Sequence, residues 1–266
     1  MNQIIRGDLA GLDIGSRSIE LVVLKDRLPV HFSRVATTYD PLGQCAKILE
    51  NLDVPYIVST GYGRKLFAQN QARDNVISIT EIQAYALGTS HLFPEARTVL
   101  DIGGQDTKAI SLLPGGRTAK FEMNDRCAAG TGKFLEYMAT ALQIPMDDFG
   151  EFALSGTKKV PIGSMCTVFA ETEATSLMAR GENPANIALG LHSAIVQRTL
   201  KMLNRVGLEY PLVFAGGVAH NPCVRALLEE RMEGAVLVPE NPDSVGALGA
   251  ALYGVDHPEE FESRSR

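Results

Sequence analysis

The chain has 266 residues, of which 45% are hydrophobic and 21% charged, and its formal net charge is −6; this is the composition of a soluble globular protein with room for a substantial core. Its lysines and arginines are scattered rather than striped, which argues against non-specific nucleic-acid binding. No apolar run approaches the roughly 20 residues that span a bilayer, and 1–8 lack the basic, apolar and small-residue succession of a secretory signal, so a cytoplasmic protein with no membrane partner is expected.

Apolar strand-like runs alternate with helical patterns, which predicts an α/β fold. A run over 9–14 breaks at Asp13-Ile14-Gly15-Ser16 and resumes over 21–24. Helical spacing follows over 42–52 and 81–92. A second run over 98–102 breaks at Asp101-Ile102-Gly103-Gly104 and resumes around 108–113. Both read as β-hairpins with Asp-Ile-Gly in the turn, and their recurrence predicts an internal duplication with one hairpin per lobe. The lobe boundary is placed near Glu95, giving lobes of 1–95 and 96–266. Further helices are expected over 132–143, 169–179 and 184–205, the last with Asn183 as N-cap and Pro184 at its first position. A strand over 212–214 leads through Ala215-Gly216-Gly217-Val218-Ala219 into another helix. The polar tail from Asp256 is expected to fray.

Glycine turns carry the first functional argument. Without a side chain, a glycine lets backbone amides approach phosphate oxygens closely. The turns Asp13-Ile14-Gly15-Ser16 and Asp101-Ile102-Gly103-Gly104-Gln105-Asp106 each add a carboxylate able to hold magnesium through water. Gln105 is a candidate orienter of an attacking water. Gly216-Gly217-Val218, between a strand and a helix, suits an adenosine. Taken singly, each turn also reads as an ordinary hairpin or helix cap, and neither a Walker A motif nor a dinucleotide fingerprint occurs. In this order, however, the turns resemble the actin-like superfamily of sugar kinases, acetate kinase and chaperone ATPases. That resemblance implies a duplicated, ribonuclease H-like fold with two lobes around a nucleotide cleft.

Of four cysteines, Cys127 lies in Asn124-Asp125-Arg126-Cys127-Ala128-Ala129-Gly130-Thr131-Gly132 and Cys166 in Gly163-Ser164-Met165-Cys166-Thr167-Val168-Phe169-Ala170-Glu171. Each precedes an expected helix, whose N-terminal dipole favours a thiolate and hence metal ligation. Burial in a core is the plainer use of a cysteine, and Cys45 and Cys223, on apolar helix patterns, are read that way. Two thiolates per chain do not complete a four-thiolate cluster, whereas two chains related by a two-fold axis do.

Together these motifs, with Thr60-Gly61-Tyr62-Gly63-Arg64 and Gly246-Ala247-Leu248-Gly249-Ala250-Ala251, resemble the ATPases that activate 2-hydroxyacyl-CoA dehydratases and benzoyl-CoA reductases, the BadF/BadG/BcrA/BcrD type, over about 9–253. The resemblance implies a homodimer with one bridging 4Fe–4S cluster held by Cys127 and Cys166 of each chain. It implies one ATP per subunit, with magnesium at Asp13 and Asp101, and catalytic roles for Asp13, Asp101 and Gln105. Nucleotide contacts are expected from Gly15, Ser16, Arg17, Gly103, Gly104, Gln105, Asp106, Gly130, Thr131, Gly132, Gly216, Gly217, Val218 and Asn221. Ferredoxin or flavodoxin would charge the cluster, and ATP hydrolysis would drive one low-potential electron to the dehydratase or reductase partner.

Two positions depart from the family pattern: Glu20, where a lysine is usual, and Tyr85, where a histidine is common. Glutamate at 20 would repel phosphate, so that either Arg17 compensates from the turn or hydrolysis is slow or altered, unless the side chain points to solvent. Two rival readings are a small-molecule kinase on the same scaffold, acting on a sugar or carboxylate, and a non-catalytic iron–sulfur regulator. The kinase lacks sequence for an acceptor pocket and leaves the cysteine motifs unexplained.

Overall fold

The computed structural model describes residues 4–71, 75–163 and 166–262. Met1–Ala96, Leu112–Ala119 and Asp243–Arg266 group as one compact unit, and Arg97–Ser111 with Lys120–Pro242 as a second. The sequence reading carries the second lobe on to 266, whereas the chain from Asp243 returns to the first unit.

The first unit begins β1 (Ile5–Arg6), β2 (Leu9–Ile14), β3 (Ser18–Lys25), β4 (Leu28–Ala36), α1 (Pro41–Ile48), β5 (Leu52–Asp53), β6 (Tyr56–Thr60), α2 (Arg64–Gln69), β7 (Val76–Ser78) and α3 (Glu81–Leu92). β1 and β5 form a separate parallel pair, and the main sheet has the order β4-β3-β2-β6-β7. β2 is buried at every position, as a strand covered on both faces must be. Alternation along β2 and β3 sorts their side chains into two cores. Ala10, Leu12, Ile19, Leu21 and Val23 pack with Cys45, Ile48 and Phe67. Leu9, Val22 and Leu24 pack with Ala84 and Ala247 on the other face. Asp40 starts α1 by accepting from the Gly43 amide at 3.0 Å. A reciprocal Thr80–Gln83 capping box starts α3, satisfying amides that the helix itself leaves open.

The second unit contains β8 (Thr98–Ile102), β9 (Thr107–Leu113), β10 (Arg117–Asn124), α4 (Gly132–Ala141), α5 (Phe149–Leu154), α6 (Thr167–Ala179), α7 (Pro184–Val206), β11 (Leu212–Ala215), α8 (Pro222–Arg231) and β12 (Val236–Leu237), with the outer ends of β9 and β10 counted in the first unit. Its sheet order, β10-β9-β8-β11-β12, repeats that of the first. In both sheets the leading strand pairs antiparallel with the next strand and parallel with the fourth. α7 starts where Asn183 accepts from the Ala185 amide at 2.9 Å. It stops at Gly207, whose φ of 80° is the left-handed cap conformation. Its buried face joins α4, α5, α8 and β11 in one core around Phe134, Phe149, Leu191 and Phe214.

α9 (Val245–Asp256) and α10 (Glu259–Glu262) complete the first unit. Residues 245–252 of α9 are all buried, so this helix is apolar on every side and needs covering all round. A Cβ at Gly249 would overlap the Ala84 carbonyl of α3, and the two helix backbones therefore touch. Through Glu262 the tail is ordered rather than frayed as expected, and 263–266 lie outside the described residues. α10 is helical, and its buried Phe261 lies with its ring centroid 4.4 Å from that of Tyr56. No helix among the described residues is long and apolar enough to cross a membrane.

Candidate functional site

In the first unit the Gly15 amide donates to the Ser18 carbonyl at 3.0 Å, which closes the β2–β3 hairpin and leaves Ser16 and Arg17 at its tip. Thr37 braces that tip, donating its hydroxyl to the Gly15 carbonyl at 2.8 Å and its amide to the Arg17 carbonyl at 2.9 Å. Asp13, next to last in β2, is buried beside Thr60 of β6. The next residue, Gly61, has φ 85°, and a Cβ there would overlap Asp13 Oδ1. Gly246, at the start of α9, approaches Asp13 Oδ2 just as closely, so the carboxylate sits at a helix N-terminus whose dipole favours negative charge. Two glycines are thus required by one aspartate.

The second unit repeats this construction. The Gly103 amide donates to the Asp106 carbonyl at 3.0 Å, with Gly104 and Gln105 at the tip. Asp101 is buried beside Ala215 of β11. Gly216 follows with φ 82°, and a Cβ on it would overlap Asp101 Oδ1. The start of α4 is laid against this turn, for the Gly132 amide donates to the Gly103 carbonyl at 2.9 Å and the Lys133 amide to the Gly104 carbonyl at 2.7 Å. Thr131 donates its hydroxyl to the Ala128 carbonyl at 2.7 Å, and Thr107 donates to the Gly130 carbonyl at 2.6 Å. Gly103, Gly104, Gln105, Asp106, Gly130, Thr131 and Gly132 therefore form one interlocked turn.

The charges around the two aspartates differ. Lys108 stands directly opposite Asp101, with its side chain 3% exposed and its Nζ 2.9 Å from Asp101 Oδ2 and 2.7 Å from Asp106 Oδ2. Glu20 stands directly opposite Asp13. It is buried, which overturns the reading that it points to solvent. Arg34, its cross-strand partner on β4, places Nε 3.2 Å from Glu20 Oε1 and Nη1 3.2 Å from Asp243 Oδ2. The sequence reading passed over Lys108 and Arg34. The equal spacing of Asp13 to Glu20 and Asp101 to Lys108 was a usable signal for the first, whereas Arg34 emerges only from strand register.

Val218 and Ala219 are buried after Gly216 and Gly217. Asn221 has both ends of its amide engaged, with Oδ1 accepting from the Val224 amide at 3.0 Å to start α8 and Nδ2 lying 3.1 Å from His192 Nε2. His192 Nδ1 lies 2.8 Å from the Ala188 carbonyl, so the proton belongs on Nδ1 and Nε2 accepts from Asn221. Burial pulls the imidazole down to about 4, because a charged ring there would lose its hydration.

The four cysteines divide as expected, with Cys45 and Cys223 buried and Cys127 and Cys166 exposed. Burial raises the Cys45 thiol to about 11 and the Cys223 thiol to about 12, which makes both poor ligands at neutral pH. Cys166 is the N-cap residue of α6. Cys127 lies in the turn before α4, held by Asn124 Nδ2, which donates to the Cys127 carbonyl at 2.9 Å and the Ala129 carbonyl at 3.0 Å. Ser164 and Met165 of the second motif lie outside the described residues, but Glu173 of α6 accepts from the Gly163 amide at 2.9 Å just before them. Tyr137 of α4 donates to Glu171 of α6 at 2.7 Å, tying together the two helices that follow the cysteines. Among the described residues no group of three or more His, Cys, Asp or Glu side chains is placed to hold a metal ion.

Residues 10–254 match the model of the BadF/BadG/BcrA/BcrD ATPase family. The chain is 40% identical to an activator of lactoyl-CoA dehydratase from Anaerotignum propionicum, covering 92% of this chain and 96% of that one. It is 39% identical to the (R)-2-hydroxyglutaryl-CoA dehydratase activating ATPase of Acidaminococcus fermentans, covering 91% and 95%. Among solved structures it superposes with a TM-score of 0.85, at 34% identity and over 97% of each chain, on the activator of the 2-hydroxyisocaproyl-CoA dehydratase from Clostridium difficile with bound ADPNP. The duplicated α/β architecture is accordingly the actin-like one.

Proposed function

Because the chain belongs to the BadF/BadG/BcrA/BcrD ATPase family, we propose that its ATPase activity drives delivery of one low-potential electron to a 2-hydroxyacyl-CoA dehydratase or benzoyl-CoA-reductase-type enzyme. The observation that carries this reading is a continuous connection within the second unit. The Gly103–Gly104 carbonyls hold the first amides of α4, Cys127 lies in the turn before α4, and Tyr137 joins α4 to α6, which Cys166 caps. A change in phosphate contacts at 103–106 is thereby passed to both cysteine-bearing segments, as in switches where a γ-phosphate biases a two-state element.

The exposed thiols suit a shared cluster, with Cys127 and Cys166 of two chains in a homodimer supplying four ligands. A 4Fe–4S cluster bound there supplies a one-electron centre whose potential responds to exposure and to hydrogen bonds to sulfur. The chain's own work is to orient those thiols and to bind ATP at the two hairpin turns. Asp13 and Asp101 are the carboxylates that would hold magnesium through water. Gln105, at the tip of its turn, orients the attacking water. Gly216, Gly217 and Val218 seat the adenosine, with Asn221 and His192 holding the start of α8 beneath them. Ferredoxin or flavodoxin in the cytoplasm recharges the centre.

Iron and sulfide assayed per dimer after anaerobic purification test this. About four irons are expected in the wild type, as for one 4Fe–4S cluster, retained in Cys45→Ala and lost in Cys127→Ala or Cys166→Ala. Absence of iron from protein reconstituted without oxygen would overturn the electron-transfer reading.

A further inference from the structure

Asp13, Glu20 and Arg34 stand directly opposite one another across β2, β3 and β4. Directly opposed residues of antiparallel strands share a face of the sheet, with Cβ atoms about 5 Å apart, and like charges so placed repel. Asp13 and Glu20 are buried on the face that α9 covers. In the second unit the residue opposite the turn aspartate is a lysine, 2.9 Å from the carboxylate it neutralises. In the first unit the cation arrives from one strand further out: the Arg34 fork lies 3.2 Å from Glu20 and 3.2 Å from Asp243, and its side chain remains 46% exposed.

We propose that Arg34 is a positioning residue for the nucleotide, holding the Glu20 carboxylate toward β4 so that the Asp13 turn can receive phosphate. The two contacts divide the task. Nε draws Glu20 away from Asp13 and offsets its charge. Nη1 ties β4 to Asp243, three residues before the Gly246 that walls Asp13. A guanidinium suits this better than an ammonium, because its planar fork serves two carboxylates at fixed separation. Glu20 is thereby made compatible with an anionic ligand without a lysine opposite Asp13, and Arg34 does for the first turn indirectly what Lys108 does for the second.

This inference rests on the nucleotide reading above, and ATPase kinetics separate the two. In Arg34→Met, KM for Mg·ATP should rise about tenfold with kcat within about twofold, since repulsion of phosphate weakens ground state and transition state alike. In Arg34→Met/Glu20→Gln the repelling carboxylate is gone, and KM should return to within about threefold of the wild type. Arg34→Lys should fall between. An unchanged KM in Arg34→Met overturns the proposal. So does a double variant as weak as the single one, which would mean that Arg34 touches phosphate itself or serves only the strand packing. Wild-type protein that neither binds nor hydrolyses Mg·ATP would overturn the nucleotide reading and this inference with it.

Discussion

Asp13 and Asp101 occupy the same place in two sheets of the same strand order, each followed across the sheet by a glycine of positive φ that leaves room for the carboxylate. Around that common frame the charges were settled separately. Asp101 has an ammonium on the adjacent strand, sealed from solvent. Asp13 has a helix start against it and a glutamate opposite, with a half-exposed guanidinium one strand away. The backbone geometry tolerates little change because any side chain at Gly61 or Gly216 meets an oxygen. The charge arrangement tolerates much, because several placements of a cation neutralise a carboxylate. Duplication therefore preserved the turn and left its electrostatics free to diverge.

The sharpest test of that contrast is the pair Lys108→Met and Arg34→Met. Removing Lys108 strands buried Asp101 and should cost about 3–5 kcal/mol in urea unfolding. Removing Arg34, itself half-exposed but paired with the buried Glu20, should cost less, about 1–3 kcal/mol. Equal losses would erase the distinction. Next in size is acid lability in the second unit. His192 binds its proton in the folded state only near pH 4, whereas the unfolded chain takes it up near the ordinary value of about 6.5. As pH falls through that window the unfolded state gains protons first, so stability drops by about 3 kcal/mol between pH 6.5 and 4. His192→Gln should flatten this slope, and hydrogen exchange should show the loss in α7 and α8 before β2 and β3. Smaller still, Gly61→Ala and Gly216→Ala should each cost about 2 kcal/mol through positive φ and overlap with an aspartate oxygen. Matching losses are the expectation, and a large difference would break the equivalence of the two turns.

Much of this frame was legible in the sequence because local signals determine it. The hairpins follow from apolar runs interrupted by Asp-Ile-Gly, and α7 from its Asn183-Pro184 start and apolar spacing. Cys127 and Cys166 separate from Cys45 and Cys223 by the small-residue turns around them. What escaped depends on non-local placement. The run 245–252 is apolar on all sides, so its pattern says that it is buried but not which sheet buries it. β4 and β10 have mostly exposed or half-exposed side chains, which leaves them little apolar signal. The Glu20–Arg34 contact exists only because the β3–β4 register sets these residues opposite one another, and the His192–Asn221 contact joins positions 29 residues apart.

The first unit is assembled from separated stretches of chain, Met1–Ala96 and Asp243–Arg266 among them. Synthesis proceeds from the N-terminus, and domains generally fold as they emerge. The strands β2, β3, β4, β6 and β7 are thus available early, while the face of β2 that α9 covers stays bare until Val245–Asp256 has been made. The second unit awaits nothing after Pro242. The Asp13 turn, translated early, is therefore finished only after α9 has been made. A chain cut short before Asp243 would carry Cys127, Cys166 and the Asp101 turn, yet lack the Gly246 wall of Asp13. Premature termination would then leave a thiol-bearing fragment whose first turn is incomplete, and the order of assembly on the ribosome keeps that turn from maturing before the cysteine segments are in place.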